Sequence, residues 1–309
     1  MNQLIAIVGP TGVGKSRLAL KLAQALDGEI VSADSRQVYR FLDIGTAKPS
    51  PEELALVPHH LVNIINPDQG FSLAQYLKLS GEVISDIQER HKLALLVGGS
   101  GQYIWSVVEG WDVPKVSPDM DFRRHLEERA AREGKDRLYE ELVKLDPAAA
   151  LRISPTNVRR IIRALEVYRS TGLPFSHLKH KAPPPFKTLI IGLTMNRRGL
   201  YRRLDLRVDD MIARGLVAEV EKLVTMGYDL SLPAMSSIGY EQIGMFLKGK
   251  LDLAAAIQKI KYETHRFARQ QYSWFPLKDE RIRWFALNGG GQDSEVLDTV
   301  TQLVRVAKK

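Results

Sequence analysis

The 309-residue sequence contains no cysteine. That excludes disulfides, thiol nucleophiles, iron–sulfur clusters and cysteine-based zinc sites, and it fits a reducing compartment. No apolar run reaches the ~18 residues that a membrane-spanning helix requires. The first residues, Met1-Asn2-Gln3 and then Leu4 to Val8, carry neither the basic n-region nor the cleavage site of an export signal. A cytoplasmic protein with no membrane attachment is expected. Acidic side chains are in deficit: 36 Asp and Glu stand against 44 Lys and Arg, a formal net charge of +8. Such a balance suits an anionic partner, whether nucleic acid, a phosphorylated small molecule or an acidic membrane. Internal repeats and low-complexity tracts are missing. With 44% hydrophobic and 26% charged residues, disorder and collagen are excluded, and the length suits one large or two modest domains.

Leu4-Ile5-Ala6-Ile7-Val8 is a continuous apolar run that reads as a strand buried on both faces. It leads into Gly9-Pro10-Thr11-Gly12-Val13-Gly14-Lys15-Ser16, the G-x-x-x-x-G-K-[ST] phosphate loop, in the strand-to-helix position that motif needs. Its glycines let backbone N–H groups converge on one anion, the helix N-terminus adds partial positive charge, Lys15 reaches terminal phosphate oxygens and the Ser16 hydroxyl can ligate Mg²⁺. The following helix is predicted from Lys15 to Leu26. Further strands are predicted at Glu29 to Ala33, Leu93 to Val97, Thr188 to Leu193 and Arg281 to Leu287, separated by helical patterns. The fold class expected is α/β: a P-loop NTPase-like, mostly parallel sheet flanked by helices. Between the third and fourth strands the pattern is helical only, over Asp119 to Glu133, Asp136 to Leu145 and Asn157 to Ser170. The expected organisation is a core over 1–115 and 183–309, interrupted by an all-helical insertion over 116–182. After the fourth strand, helices are predicted over Arg198 to Arg214, Leu216 to Met226, Tyr240 to Lys248 and Leu253 to Tyr272, ending in a short basic tail from Arg305.

A phosphate loop binds a phosphate chain without naming its owner, and ATP is the usual one. NTPases of this class hold Mg²⁺ with an acid at the end of a later strand. Here Leu93 to Val97 runs into Gly98-Gly99-Ser100-Gly101 with no acid. The nearest is Asp34, past the second strand, at the carboxyl edge where open α/β sheets bind ligands. Asp34 can be a general base or a metal ligand, or can simply cap the next turn. Its neighbours Ser35, Arg36, Gln37 and Tyr39 can hydrogen-bond or stack on a planar heterocycle.

These residues resemble the tRNA isopentenyltransferase family in its bacterial form, the tRNA dimethylallyltransferases. The likeness rests on the phosphate loop and then, in order, on Asp34 to Tyr39, Asp43 to Pro49, Pro58 to Leu61, Gly98 to Tyr103 and Arg160 to Val167. Arg207 to Met211 with Gly215-Leu216, and Ala268 to Gln271 leading to Trp274-Phe275, extend it to most of the chain. Ser100, Gln102, Asn63 and His265 depart from the usual pattern. Eukaryotic relatives carry a zinc finger, and without cysteine a finger of that type is ruled out here.

The resemblance implies dimethylallyl diphosphate as donor, tRNA as acceptor and Mg²⁺ as cofactor. The exocyclic N6 of the adenosine 3′ of the anticodon would attack the first allylic carbon as diphosphate leaves. Lys15, the loop N–H groups, Thr11 and Arg207 would hold the leaving group, and Asp34 would accept the N6 proton. The base must be turned out of its stack to reach them. Asp34, Ser35, Arg36, Gln37 and Ser100 are expected beside it, and Arg123, Arg159, Arg160 and Arg163 on the RNA. From Arg152 to Lys181 seven bases face one acid, Glu166, although such a face can also be merely solvated. Phe122, Tyr103 and Trp105 are candidates to stack on bases or to fill the core. His59-His60 lacks a third ligand at suitable spacing. A monomer is expected. Three alternatives stay open: an ATP-dependent small-molecule kinase with a lid, an isopentenyltransferase for free adenine nucleotides, and an RNA-binding module with a vestigial loop.

Overall fold

The computed structural model describes residues 3–307 except 115, 179, 185 and 288–291. It divides into two units, Met1–Val108 with Pro184–Lys309, and Glu109–Pro183.

In the first unit, β1 (Gln3–Val8) buries every side chain from Leu4 to Val8, which is why it needs apolar residues at consecutive positions. Helix α1 (Lys15–Leu26) turns Leu18, Ala19, Leu22 and Ala23 inward. Next come β2 (Gly28–Ser32), α2 (Pro51–Leu56), β3 (His59–His60), α3 (Leu73–Glu89), β4 (Leu93–Val97) and α4 (Gly101–Val108). Capping boxes at Ser50 with Glu53 and Ser72 with Gln75 set the starts of α2 and α3 by satisfying orphan N–H groups.

The second unit carries β5 (Trp111–Asp112), α5 (Met120–Glu133), α6 (Lys135–Leu145), α7 (Pro147–Ala150), α8 (Val158–Thr171) and β6 (His180–Lys181). Leu126, Leu138, Leu142, Ile161, Ile162 and Leu165 form its core. The antiparallel pairing of β5 with β6, Trp111 with Lys181 and Asp112 with His180, accounts for a unit wider than the expected 116–182. Two-residue strands leave no periodic signal.

The chain returns to the first unit through β7 (Lys187–Thr194), α9 (Arg197–Ala213), α10 (Leu216–Thr225), α11 (Tyr240–Leu247), α12 (Leu253–Trp274), β8 (Ile282–Ala286) and α13 (Gln292–Ala307). The sheet order is β3-β2-β4-β1-β7-β8, and all its pairings are parallel. Strands β1 and β2 are therefore not neighbours: β4 lies between them. The carboxyl ends of β1, β4 and β2 deliver, side by side, the phosphate loop, Gly98 to Gly101 and Asp34.

No helix is expected after the fifth predicted strand, yet the chain forms α13 there, and it runs through the start of the basic tail expected from Arg305 as far as Ala307. Val296, Val300 and Val304, one turn apart, pack into the cluster that holds Leu18 and Leu22. Helix α4 went unread because six of its eight residues are buried, which erases the amphipathic period. Among the described residues no helix is long and apolar enough to cross a membrane.

Candidate active site

Gly9 ends β1 at φ +136°, and a Cβ there would run into the Leu193 carbonyl of β7. Only glycine lets the loop leave the sheet at that point. The turn closes through Val13 N–H donating to Pro10 O at 3.4 Å, and Gly14, at φ 112°, opens α1. The backbone N–H groups of Gly12, Gly14, Lys15 and Ser16 have no acceptor among the described residues. This is the arrangement by which a helix start receives an anion.

Lys15 folds back over the loop, its Nζ donating to Gly9 O and Pro10 O at 2.9 Å each. Burial and the nearby Arg207 push its ammonium down to about 7, while Asp34 pulls the other way. Arg207, on α9, is lowered chiefly by burial and supported by Asp34. Its guanidinium makes no hydrogen bond or ion pair among the described residues. Lys15, Arg207 and Asp34 are thus close enough to act on one another's charge at the carboxyl edge of the sheet.

Asp34 Oδ1 accepts the N–H groups of Arg36 (2.8 Å) and Gln37 (3.4 Å), so the residue does cap a turn. Oδ2 has no protein partner among the described residues. Ser100 Oγ accepts Ser35 N–H at 3.1 Å and lies 3.4 Å from Ser35 Oγ. Arg36 is drawn to Pro233 O at 2.8 Å. Gln37 faces inward: its Oε1 accepts Ser32 Oγ–H, and its Nε2 donates to Thr46 O and Ala47 O. Both Nε2 protons are used by the protein, so Gln37 holds the loop walls, while Oε1 keeps a second lone pair. Thr11 sits in the loop with its N–H donating to Gln271 Oε1 at 2.7 Å. Ser16 is exposed at the start of α1.

The basic residues of the second unit separate into two kinds. Glu166 is 2% exposed. Arg123 grips it through Nε and Nη2 at 2.8 Å, and Arg163 does so through Nη1 at 2.6 Å. Burial pulls the Glu166 carboxyl up, but the hydrogen bonds from Arg123 and Arg163 outweigh it and hold it below the usual range. Arg163 also donates to Pro114 O and Val116 O. These two arginines serve the unit's own packing. The single acid in the basic stretch is what engages them, and both guanidiniums remain about a third exposed. Arg169 lies 4.4 Å from the Phe122 ring centroid. Arg159 and Arg160 are exposed, with no side-chain partner among the described residues. Lys179 lies outside the described residues.

Tyr103 is buried against Tyr76, ring centroids 3.7 Å apart, and Trp105 donates Nε1–H to Trp274 O at 2.8 Å. Both are core residues here. His60 Nε2 meets Glu29 Oε2 at 2.8 Å and His59 Nδ1 meets Val57 O at 2.8 Å. Asn63 Oδ1 accepts from Lys48 at 2.6 Å, and His265 stacks on Tyr201 with centroids 4.1 Å apart.

Two residues hold this arrangement from a distance: Glu219, which carries no local sequence signal, and Gln271, whose stretch Ala268 to Gln271 carries the resemblance without saying what its amide meets. Glu219, on α10, accepts the N–H groups of Asp43, Ile44 and Gly45 and the hydroxyl of Tyr240, fixing a loop more than 170 positions away. Gln271, on α12, joins the phosphate loop to the turn after β4.

An IPP transferase family model matches residues 37–279. The chain is 54% identical to the tRNA dimethylallyltransferase of Chloroflexus aurantiacus over 89% of its own length and 93% of that protein. To that of Dehalococcoides mccartyi it is 48% identical, over 96% and 91%. The solved full-length tRNA isopentenylpyrophosphate transferase of Bacillus halodurans superposes with a TM-score of 0.73 at 38% identity, covering 99% of this chain and 96% of that one. A eukaryotic dimethylallyltransferase acting on tRNA superposes at 0.80 with 27% identity, over 96% and 77%. With the phosphate loop, the Asp34 turn and the strand order in place, the chain belongs to the IPP transferase family.

Proposed function

We propose that this protein transfers a dimethylallyl group from dimethylallyl diphosphate to N6 of the adenosine 3′ of the anticodon in tRNA, releasing diphosphate. The observation that carries the reading is the convergence of Lys15, Arg207 and Asp34 where β1, β4 and β2 end. Cations for a leaving diphosphate and a carboxylate for an incoming amine meet there.

In this reading N6 attacks the first allylic carbon, the carbon–oxygen bond to diphosphate breaks, and an N6 proton passes to Asp34 Oδ2. Negative charge grows on the leaving oxygens. The loop N–H groups, Lys15 and Arg207 meet that growth from fixed positions, and a donor of this kind lowers the barrier by about 2.7–4 kcal/mol. The Thr11 hydroxyl would donate to the bridging oxygen. An exocyclic amine is a weak nucleophile, so holding it in line with the carbon supplies much of the rate. The Ser35 and Ser100 hydroxyls and Arg36 would flank the extruded base.

Mg²⁺ suits the donor set. The ion keeps most of its waters and takes one or two protein oxygens together with phosphate oxygens, and Ser16 supplies an exposed hydroxyl at the loop. When bound, it would neutralise charge on the diphosphate. Arg159 and Arg160 are our candidates for phosphate contacts from the second unit.

The test is mass spectrometry of nucleosides from tRNA incubated with protein, Mg²⁺ and the donor. N6-dimethylallyladenosine supports the reading. Unmodified tRNA together with phosphoryl transfer from ATP would refute it.

A further inference from the structure

We propose that Gln271 is a positioning residue that fixes the distance between the phosphate loop and Asp34. The proposal rests on the transfer reaction set out above.

Gln271 is 3% exposed, and both ends of its amide are used. Oε1 accepts the Thr11 N–H of the phosphate loop at 2.7 Å. Nε2 donates to Gly99 O at 3.1 Å, in the turn after β4. A Cβ on Gly99 would collide with that Nε2, so the backbone lies directly against the amide. From Gly99 the connection continues through its neighbour. Ser100 N–H donates to Ala33 O at 3.2 Å, and Ser100 Oγ accepts Ser35 N–H at 3.1 Å. These bonds bracket Asp34 on both sides.

Because β4 separates β1 from β2, the diphosphate cradle and the base sit on strands that never touch. Their spacing is relayed across the turn after β4, and Gln271 is the side chain that joins that turn to the cradle. Its own seat is firm: Trp274 O accepts Trp105 Nε1–H, the Trp274 ring lies against Gly101, and Phe275 is fully buried.

The chemistry asks for glutamine. One side presents an N–H and the other a C=O, and a planar amide has one group for each. An ionised carboxylate would satisfy Thr11 and repel Gly99 O. A protonated carboxyl can do both. Methionine fills the space and does neither.

The experiment compares single-turnover prenylation of tRNA, donor affinity and melting temperature in Gln271→Met and Gln271→Glu. Gln271→Met should lose about 10–100-fold in rate, the scale of a sub-ångström to 1 Å misplacement, with diphosphate affinity within about threefold of wild type, because the loop N–H groups that receive the anion remain. Gln271→Glu should be slow at pH 8 and recover toward wild type at pH 6, as burial favours the protonated carboxyl. A folded Gln271→Met protein with the wild-type rate overturns the proposal. So does a Gln271→Glu to wild-type rate ratio that is flat with pH, a measurement that stands even if the methionine variant fails to fold. If the wild-type protein forms no dimethylallyladenosine, the transfer reading fails instead.

Discussion

Asp34 Oδ1 is hydrogen-bonded to the backbone N–H of Arg36 at 2.8 Å, so one carboxylate oxygen shapes the turn, while the other, with no protein partner among the described residues, is the one proposed to take the proton. The two roles can be separated. Asn keeps the capping oxygen and removes the base, whereas Ala removes both. Asp34→Asn should retain tRNA binding and the melting temperature and lose about 10²–10⁴ in single-turnover rate. Asp34→Ala should lose the same rate and also about 0.5–2 kcal/mol of stability, by analogy with lost caps. Denaturant unfolding alongside rapid-quench kinetics reads both.

The depressed Lys15 makes donor binding a proton-linked event. Its ammonium, at about 7 in the free protein, is charged below that value and neutral above it. The diphosphate needs the charged form, and its binding should draw a proton back onto the amine. Diphosphate affinity should therefore fall as pH rises from about 6.5 to 8.5, with proton uptake near pH 7.5, measured by calorimetry in buffers of different ionisation enthalpy. In Lys15→Met the uptake assigned to this group should vanish. Equal uptake in the variant would show that the proton goes elsewhere.

Two sets of arginines in the second unit should respond to different assays. Removing Glu166 strands Arg123 and Arg163. Their guanidiniums are about a third exposed and water can take them up, so Glu166→Ala should cost about 1–3 kcal/mol in urea unfolding. Arg159→Ala with Arg160→Ala should leave stability unchanged, raise the tRNA KM and reduce the salt slope of tRNA binding by about 1 per arginine. A pair of variants with unaltered salt dependence would place these two side chains off the RNA.

Acid stability should track Glu29 at the far end of β2. Hydrogen bonds from Arg90 above all, joined by His60 and Lys92 and opposed by burial, hold it at about 2, against 4.5 for the ordinary carboxyl. A depressed carboxyl stabilises the fold above its unfolded value, and that contribution is lost as pH falls from about 4.5 toward 2. Glu29→Gln should be less stable at neutral pH and lose less across that window. Identical acid titrations of the two proteins would contradict the assignment.

The strands and the phosphate loop were legible because they are local. A buried parallel strand needs an unbroken apolar run, and Leu4 to Val8 and Leu93 to Val97 supply it. Gly9 must be glycine because Leu193 O leaves no room. Asp34 was legible too, since a lone acid after a buried strand stands out. The insertion could be seen as helical, but the fate of Arg123 could not, because Glu166 meets it across 43 positions; the Arg163–Glu166 pair, three residues apart on one helix, was within reach of helical spacing. Gln271 and Glu219 act across 260 and 176 positions. Helical periodicity places such residues on an element but is silent on what their polar ends meet. The burial of Tyr103 was hidden for the same reason, its partner Tyr76 lying on another helix.

The central claim is that a phosphate cradle and a carboxylate on separate strands act together on one carbon–nitrogen bond. Single-turnover formation of N6-dimethylallyladenosine in tRNA by wild type and Asp34→Asn, each saturated with dimethylallyl diphosphate, tests it most directly. The expected result is modified nucleoside from the wild type, with a rate at least about a hundredfold lower in the variant and tRNA affinity intact. Equal rates in the two proteins would contradict it.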